Sequence, residues 1–114
     1  MVDKEEVLRE VYALFNVRSL DLILERMDKD VDWPNGMEGG RVHGHEGIRE
    51  YWTRQWKMID PHVQPVGFAT DEGGDTVVTV HQVVRDLEGK VLMDQQVLHV
   101  YTFRDGLIER MEIR

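Results

Sequence analysis

The sequence predicts an α+β fold in which helices pack on one face of an antiparallel sheet. Three observations carry this. Apolar residues recur at helical spacing through the first half of the chain, the second half is rich in β-branched and aromatic residues, and short turn signals divide that half into consecutive strands. At 114 residues the chain is long enough for a single domain spanning 1–114 and too short for two cores.

The first helix is read from Val7, Leu8, Val11, Leu14 and Phe15, with charged residues between them. Asp3, three residues before Glu6, supplies a capping-box-like start. A second helix is expected from Ser19, with Leu20, Ile23, Leu24 and Met27 as its apolar stripe and an end between Asp28 and Asp30. Almost nothing joins the two, so they should form a tight pair. Val31-Asp32-Trp33 reads as a short extended piece stopped by Pro34. A Gly-rich loop follows through Asn35, Gly36, Gly39 and Gly40 to His43. The third helix begins near Gly44 or His45, carries Ile48, Tyr51, Trp52, Trp56 and Ile59, and is ended by Pro61.

Strands are expected over Val63 to Thr70, Thr76 to Asp86, Val91 to Phe103 and Leu107 to Ile113. Asp71-Glu72-Gly73-Gly74-Asp75, Leu87-Glu88-Gly89-Lys90 and Arg104-Asp105-Gly106 turn the chain between them. A type I turn with a Gly bulge after Asp86 sets Asp86 opposite Lys90, His81 opposite Gln95 and Val83 opposite Met93. The same geometry after Phe103 sets His99 opposite Met111. One face then carries Thr79, His81, Val83, Met93, Gln95, Val97, His99, Tyr101, Phe103 and Met111. The other carries Val78, Val80, Gln82, Val84, Leu92, Asp94, Gln96, Leu98 and Val100, and a one-residue slip would exchange members between faces. Both faces are too apolar to be simply solvated. Three helices cover only one of them, so a homodimer through the other is expected.

Composition excludes more than it names. A net charge of −8 with no basic stretch makes nucleic acid and anionic membrane surfaces poor partners. The absence of cysteine rules out disulfides, a thiolate nucleophile and a thiolate zinc site. Met1 to Arg9 is charged and lacks the apolar core of a signal peptide, and no apolar run approaches bilayer length, so a soluble cytoplasmic protein is the expectation.

The helix-facing strand side mixes His81, Gln95 and His99 with aromatic and Met surface. Such a set is either a satisfied internal network or the floor of a pocket. His99 and His81 are the candidate acid/base residues. Tyr12, Phe15, Trp33, Trp52, Trp56, Val83, Gln95, Val97, Tyr101 and Met111 are the candidate ligand-binding residues. Trp52 and Trp56 are also at the spacing of plain core packing. In His43-Gly44-His45-Glu46 no third ligand is placed by the sequence and a helix begins between the histidines, so no metal is expected. No cofactor fingerprint or Ser-His-Asp arrangement occurs.

Val31-Asp32-Trp33-Pro34, the helix entry His43-Gly44-His45-Glu46-Gly47-Ile48 and the late Phe103-Arg104-Asp105-Gly106-Leu107-Ile108 together resemble the nuclear transport factor 2-like superfamily, in its SnoaL-like and ketosteroid isomerase-like branch. The resemblance covers essentially the whole chain. It implies a cone-shaped, bent sheet wrapped around three N-terminal helices, a cystatin-like α+β roll with a ligand cavity at its open end and dimers through the convex face. It also implies a small apolar or aromatic ligand, with ketosteroid isomerase-like or polyketide cyclase-like chemistry, or else a non-catalytic dimeric ligand-binding or association module. Ketosteroid isomerases place their general-base Asp just before the Pro that is Pro34 here, and this chain has Trp33 there. The acid that donates to the oxyanion aligns with His99, the hydrogen-bonding Tyr falls near Val11 with Tyr12 one step away, and the third-helix aromatic aligns with Trp52. The cavity positions are kept while the isomerase constellation is not.

Overall fold

The structure, a computed structural model, describes residues 3–114; Met1 and Val2, which open the charged N-terminal stretch, lie outside it. Three helices and six strands follow in the order α1 (Lys4–Asn16), α2 (Leu20–Leu24), β1 (Met27–Pro34), β2 (Arg41–His43), α3 (Gly44–Met58), β3 (Asp60–Thr70), β4 (Thr76–Arg85), β5 (Val91–Arg104) and β6 (Leu107–Ile113). The strands form one sheet in the order β2-β1-β6-β5-β4-β3. It is an α+β fold, as the sequence predicts.

Asp3 caps α1 by accepting a hydrogen bond from the Glu6 backbone N–H, and the helix buries Leu8, Val11 and Tyr12. Asn16 at its end clamps β3, accepting from the Val63 N–H at 2.9 Å and donating to the Val63 carbonyl at 2.7 Å. The second helix is shorter than its apolar stripe suggests. It stops at Leu24, and Met27 opens β1 instead of closing the helix. Tertiary pairing overrides local periodicity here, because β1 runs parallel to β6 with Met27 beside Ile108, so the sheet is mixed rather than wholly antiparallel. Along β1, Met27, Val31 and Trp33 are buried.

Gly44 starts α3 at φ +73, and a Cβ there would lie 3.2 Å from the Lys29 carbonyl oxygen, so glycine is required. α3 buries Ile48, Tyr51 and Trp52 and packs on β1, while α1 packs on β3. β3 begins at Asp60, before the expected Val63, so Pro61 as well as Pro65 falls inside the strand. They are tolerated because β3 is an edge of the sheet, where a missing N–H costs no ladder bond on the open side.

The turn after β4 has the expected form. Asp86 N–H donates to the Lys90 carbonyl, Gly89 N–H donates to the Asp86 carbonyl, and Gly89 has φ +96. Yet His81 pairs with Gln96 and Val84 with Met93, one residue off the register that turn dictates, because Leu92 is an extra residue with no partner on β4. The bulge reverses the facing of β4 relative to β5. Val78, Val80 and Val84 are therefore buried toward the helices, while Thr79, His81 and Val83 turn outward, correcting the faces expected from the turn alone. The β5–β6 connection differs too. Asp105 and Gly106, at φ 52 and φ 81, make a two-residue turn, and Glu109 is a further unpaired residue. The two changes shift the register by two, so Met111 opposes Tyr101 instead of His99 but keeps its facing. A third shift at Val66 interrupts β3 against β4.

Candidate functional site

Between the helix layer and the sheet face turned toward it lies a cavity of ≈ 350 Å³. Its walls bring together α1 (Val11, Tyr12, Phe15), β1 and the following loop (Trp33, Pro34, Gly36, Met37), α3 (Tyr51, Trp52, Gln55) and the sheet (Val63, Gln82, Val84, Met93, Gln95, Val97, His99, Tyr101, Met111, Ile113). The aromatic rings form a connected set. Trp33 meets Trp52 edge-on at 5.5 Å between centroids and Tyr101 at 6.1 Å, and Phe15 meets Trp52 at 5.2 Å.

One hydrogen-bonded chain runs through this interior. The Tyr101 hydroxyl donates to the Tyr12 hydroxyl at 2.8 Å, and Tyr12 Oη lies 2.8 Å from His99 Nδ1, all three groups being buried. Burial depresses the His99 pKa to about 4, so its imidazole is neutral at pH 7. With Tyr101 donating to Tyr12, the Tyr12 proton goes to Nδ1. The neutral ring must then carry its own proton on Nε2, which has no partner among the described residues. Burial also raises the pKa of both tyrosines, so neither ionises near neutrality. The outcome is a preorganised donor on a cavity wall, held by two phenols behind it.

Of the residues expected to bind ligand, Tyr12, Phe15, Trp33, Trp52, Gln95, Val97, Tyr101 and Met111 line the cavity. Three expected site residues do not. His81 and Val83 lie on the outer sheet face because of the Leu92 bulge, and His81 Nε2 bonds Asp94 Oδ1 at 2.7 Å there, with 41% of its side chain exposed. Trp56 backs the cavity rather than lining it, against Phe15 and Trp52 and beneath the Arg18 guanidinium. Tyr12, one step from the position suggested by the resemblance, is the hydroxyl that reaches His99.

Sequence reasoning missed Gln82 and Val84, whose facing the bulge decides, and Tyr51 and Gln55. The last two were legible in principle, being one helical turn apart on the face that carries Trp52.

Asp32 points away from the cavity. It accepts hydrogen bonds from Arg41 and Arg110, tying β1, β2 and β6 together. Burial pushes its pKa up, but the hydrogen bond and charge of Arg41, with the charge of Arg110, outweigh it and hold the carboxyl below its ordinary value. Neither Asp94 nor Glu109 lines the cavity, and no carboxylate does among the described residues. His45 Nε2 bonds the Met27 carbonyl, His43 is largely exposed, and no cluster of three metal-ligating side chains exists among the described residues. No helix among them is long and apolar enough to cross a membrane.

The fold and cavity define a small α+β roll of the nuclear transport factor 2-like class. Residues 8–111 match the SnoaL-like domain family, and the chain belongs to it. Among solved structures it is similar to TerC co-crystallised with polyporic acid, with 32% identity over 96% of this chain and 88% of that one and a TM-score of 0.82. It is also similar to an NTF2-like protein of unknown function from Burkholderia pseudomallei, with 26% identity over 100% and 91% of the two chains and a TM-score of 0.84. A putative polyketide cyclase from Sinorhizobium meliloti shares the fold at 20% identity, 96% and 94% coverage and a TM-score of 0.80. No functionally curated protein matches the chain.

Proposed function

We propose that the chain binds a planar, largely aromatic small molecule in the ≈ 350 Å³ cavity and uses His99 Nε2–H to polarise one of its carbonyl or enol oxygens, in cyclase- or isomerase-type chemistry. The observation that carries the reading is the buried Tyr101–Tyr12–His99 chain, which holds a neutral imidazole with its free N–H available to the cavity. A neutral imidazole is a poor base at a pKa of about 4 but a suitable donor to an oxygen on which negative charge develops. His81, on the outer face, takes no part. The TerC complex supports polyporic acid as a first probe.

The site has no lining carboxylate among the described residues, which favours a second reading: the module binds and polarises a ligand without turning it over. Titration of polyporic acid, followed by quenching of Trp33 and Trp52, tests both. Saturable binding that weakens in His99→Asn, which lacks the ε nitrogen, supports the site. Spectral conversion of the bound molecule, lost in the same variant, supports catalysis. Binding unaffected by His99→Asn refutes the assigned role.

The outer sheet face supports a homodimer. Leu98 is 38% exposed on the side that also carries Val77, Thr79 and Val83. Sedimentation should give twice the 13.4 kDa chain mass, and Leu98→Lys should give the monomer; a monomeric parent protein would refute the pairing.

A further inference from the structure

A second hydrogen-bonding pole faces the cavity from the helix layer. The Tyr51 hydroxyl oxygen accepts from the Gly36 N–H at 3.0 Å and from Gln55 Nε2 at 3.2 Å, and both residues line the cavity. Those two bonds use both lone pairs, so the Tyr51 hydrogen is left without an acceptor among the described residues. Turning the Gln55 carboxamide over does not remove the surplus. Tyr51 would then donate to Gln55 Oε1, and the Gln55 amino group would become the free donor. Either arrangement leaves at least one donor at this point.

The first pole, His99 Nε2–H, belongs to β5 on the sheet side, whereas Tyr51 and Gln55 belong to α3. The rings of Trp52 on α3, Trp33 on β1 and Tyr101 on β5, each in contact with the next, run from one wall to the other. The cavity is therefore lined by these rings with a donor on each side, and among the described residues no carboxylate lines it, the acceptors on the sheet wall being the carboxamide oxygens of Gln82 and Gln95. A buried donor left unmatched costs affinity, so a ligand that fills the cavity gains most by bringing two acceptors.

Resting on the binding reading above, we infer that the natural ligand class is a rigid, flat, apolar frame with an accepting oxygen near each end, and that Tyr51 with Gln55 selects the oxygen remote from His99. Biphenyl, 4-acetylbiphenyl and 4,4′-diacetylbiphenyl are a suitable probe series, since they are uncharged and carry no, one and two carbonyl acceptors. Affinity is measured by calorimetry and by tryptophan quenching. Each added carbonyl should tighten binding about fivefold, the net value of one neutral hydrogen bond of about 1 kcal/mol.

Tyr51→Phe combined with Gln55→Leu should reduce diacetylbiphenyl to the affinity of acetylbiphenyl, each read as a ratio to biphenyl in the same variant. His99→Asn should likewise leave a single increment, since one carbonyl then turns to Tyr51 with Gln55 and a second finds no donor. Gln55→Leu alone, at a half-buried helix position, serves if the double variant does not fold, and should shrink the second increment. If diacetylbiphenyl binds no better than acetylbiphenyl, or the advantage survives both α3 substitutions, the second pole is refuted while the cavity reading stands. If none of the three binds, the cavity reading fails and takes the second pole with it.

Discussion

The burial of His99 makes stability depend on pH in a calculable way. In the unfolded chain its imidazole titrates near 6.5, and in the folded protein near 4. The folded-state value is depressed, so the unfolded state binds the extra proton between those two pH values. Stability is complete above about pH 6.5, falls as pH drops through the window, and levels off below about pH 4. Linkage across this interval gives a loss of about 2 kcal/mol from pH 7.5 to pH 5, and about 3 kcal/mol by pH 4. Other carboxylates titrate over the same range, so the comparison must be with a variant that differs only here. His99→Asn places a carbonyl oxygen where Nδ1 stands, preserving an acceptor for Tyr12 while removing the titration. Urea unfolding of both proteins at pH 7.5, 6.5, 5.5, 5 and 4 supplies the assay. The difference in unfolding free energy should shift against the parent protein by about 3 kcal/mol across the series. Parallel pH profiles for parent and variant would refute the claim that a neutral, buried His99 ends the tyrosine chain.

Tyr12→Phe should cost roughly 2 kcal/mol in chemical denaturation, since it strands both the Tyr101 hydroxyl and His99 Nδ1. Tyr101→Phe should cost less, because the Tyr12–His99 bond survives; the reverse order would contradict the central place of Tyr12 in the chain. Asp32→Asn should lower stability by about 1 kcal/mol through its arginine partners, and leave probe affinity within error because its carboxyl faces away from the cavity. Deleting Leu92 should leave thermal unfolding cooperative, since Val91 opposite Arg85 and Met93 opposite Val84 then follow each other in an unbroken ladder that keeps Val78, Val80, Val84 and His99 facing inward. A deletion variant that loses its transition would show that Leu92 does more than offset the register.

Local signals made most of the elements legible. Asp3 and the stripe from Leu8 to Phe15 mark α1, Gly44 and Pro61 bracket α3, and Asp86 to Gly89 forms the expected turn. Where the reading failed, the deciding interaction was remote in sequence. Met27 leaves a helical stripe for β1 because Ile108 stands beside it across a parallel ladder that no local pattern announces. Leu92 carries no mark of a bulge, being an ordinary apolar strand residue, yet it moves His81 out of the site and Gln82 into it.

The sequence by itself determined the α+β class, the family resemblance and the set of aromatic and histidine residues from which a site could be built, because each rests on residue type and short-range spacing. Only the tertiary structure decided which face of β4 looks inward, that Tyr12 rather than Val11 meets His99, and that Tyr51 and Gln55 meet on the cavity wall. Those outcomes depend on register and on packing between the helix and sheet layers, and a one-residue bulge is enough to change them.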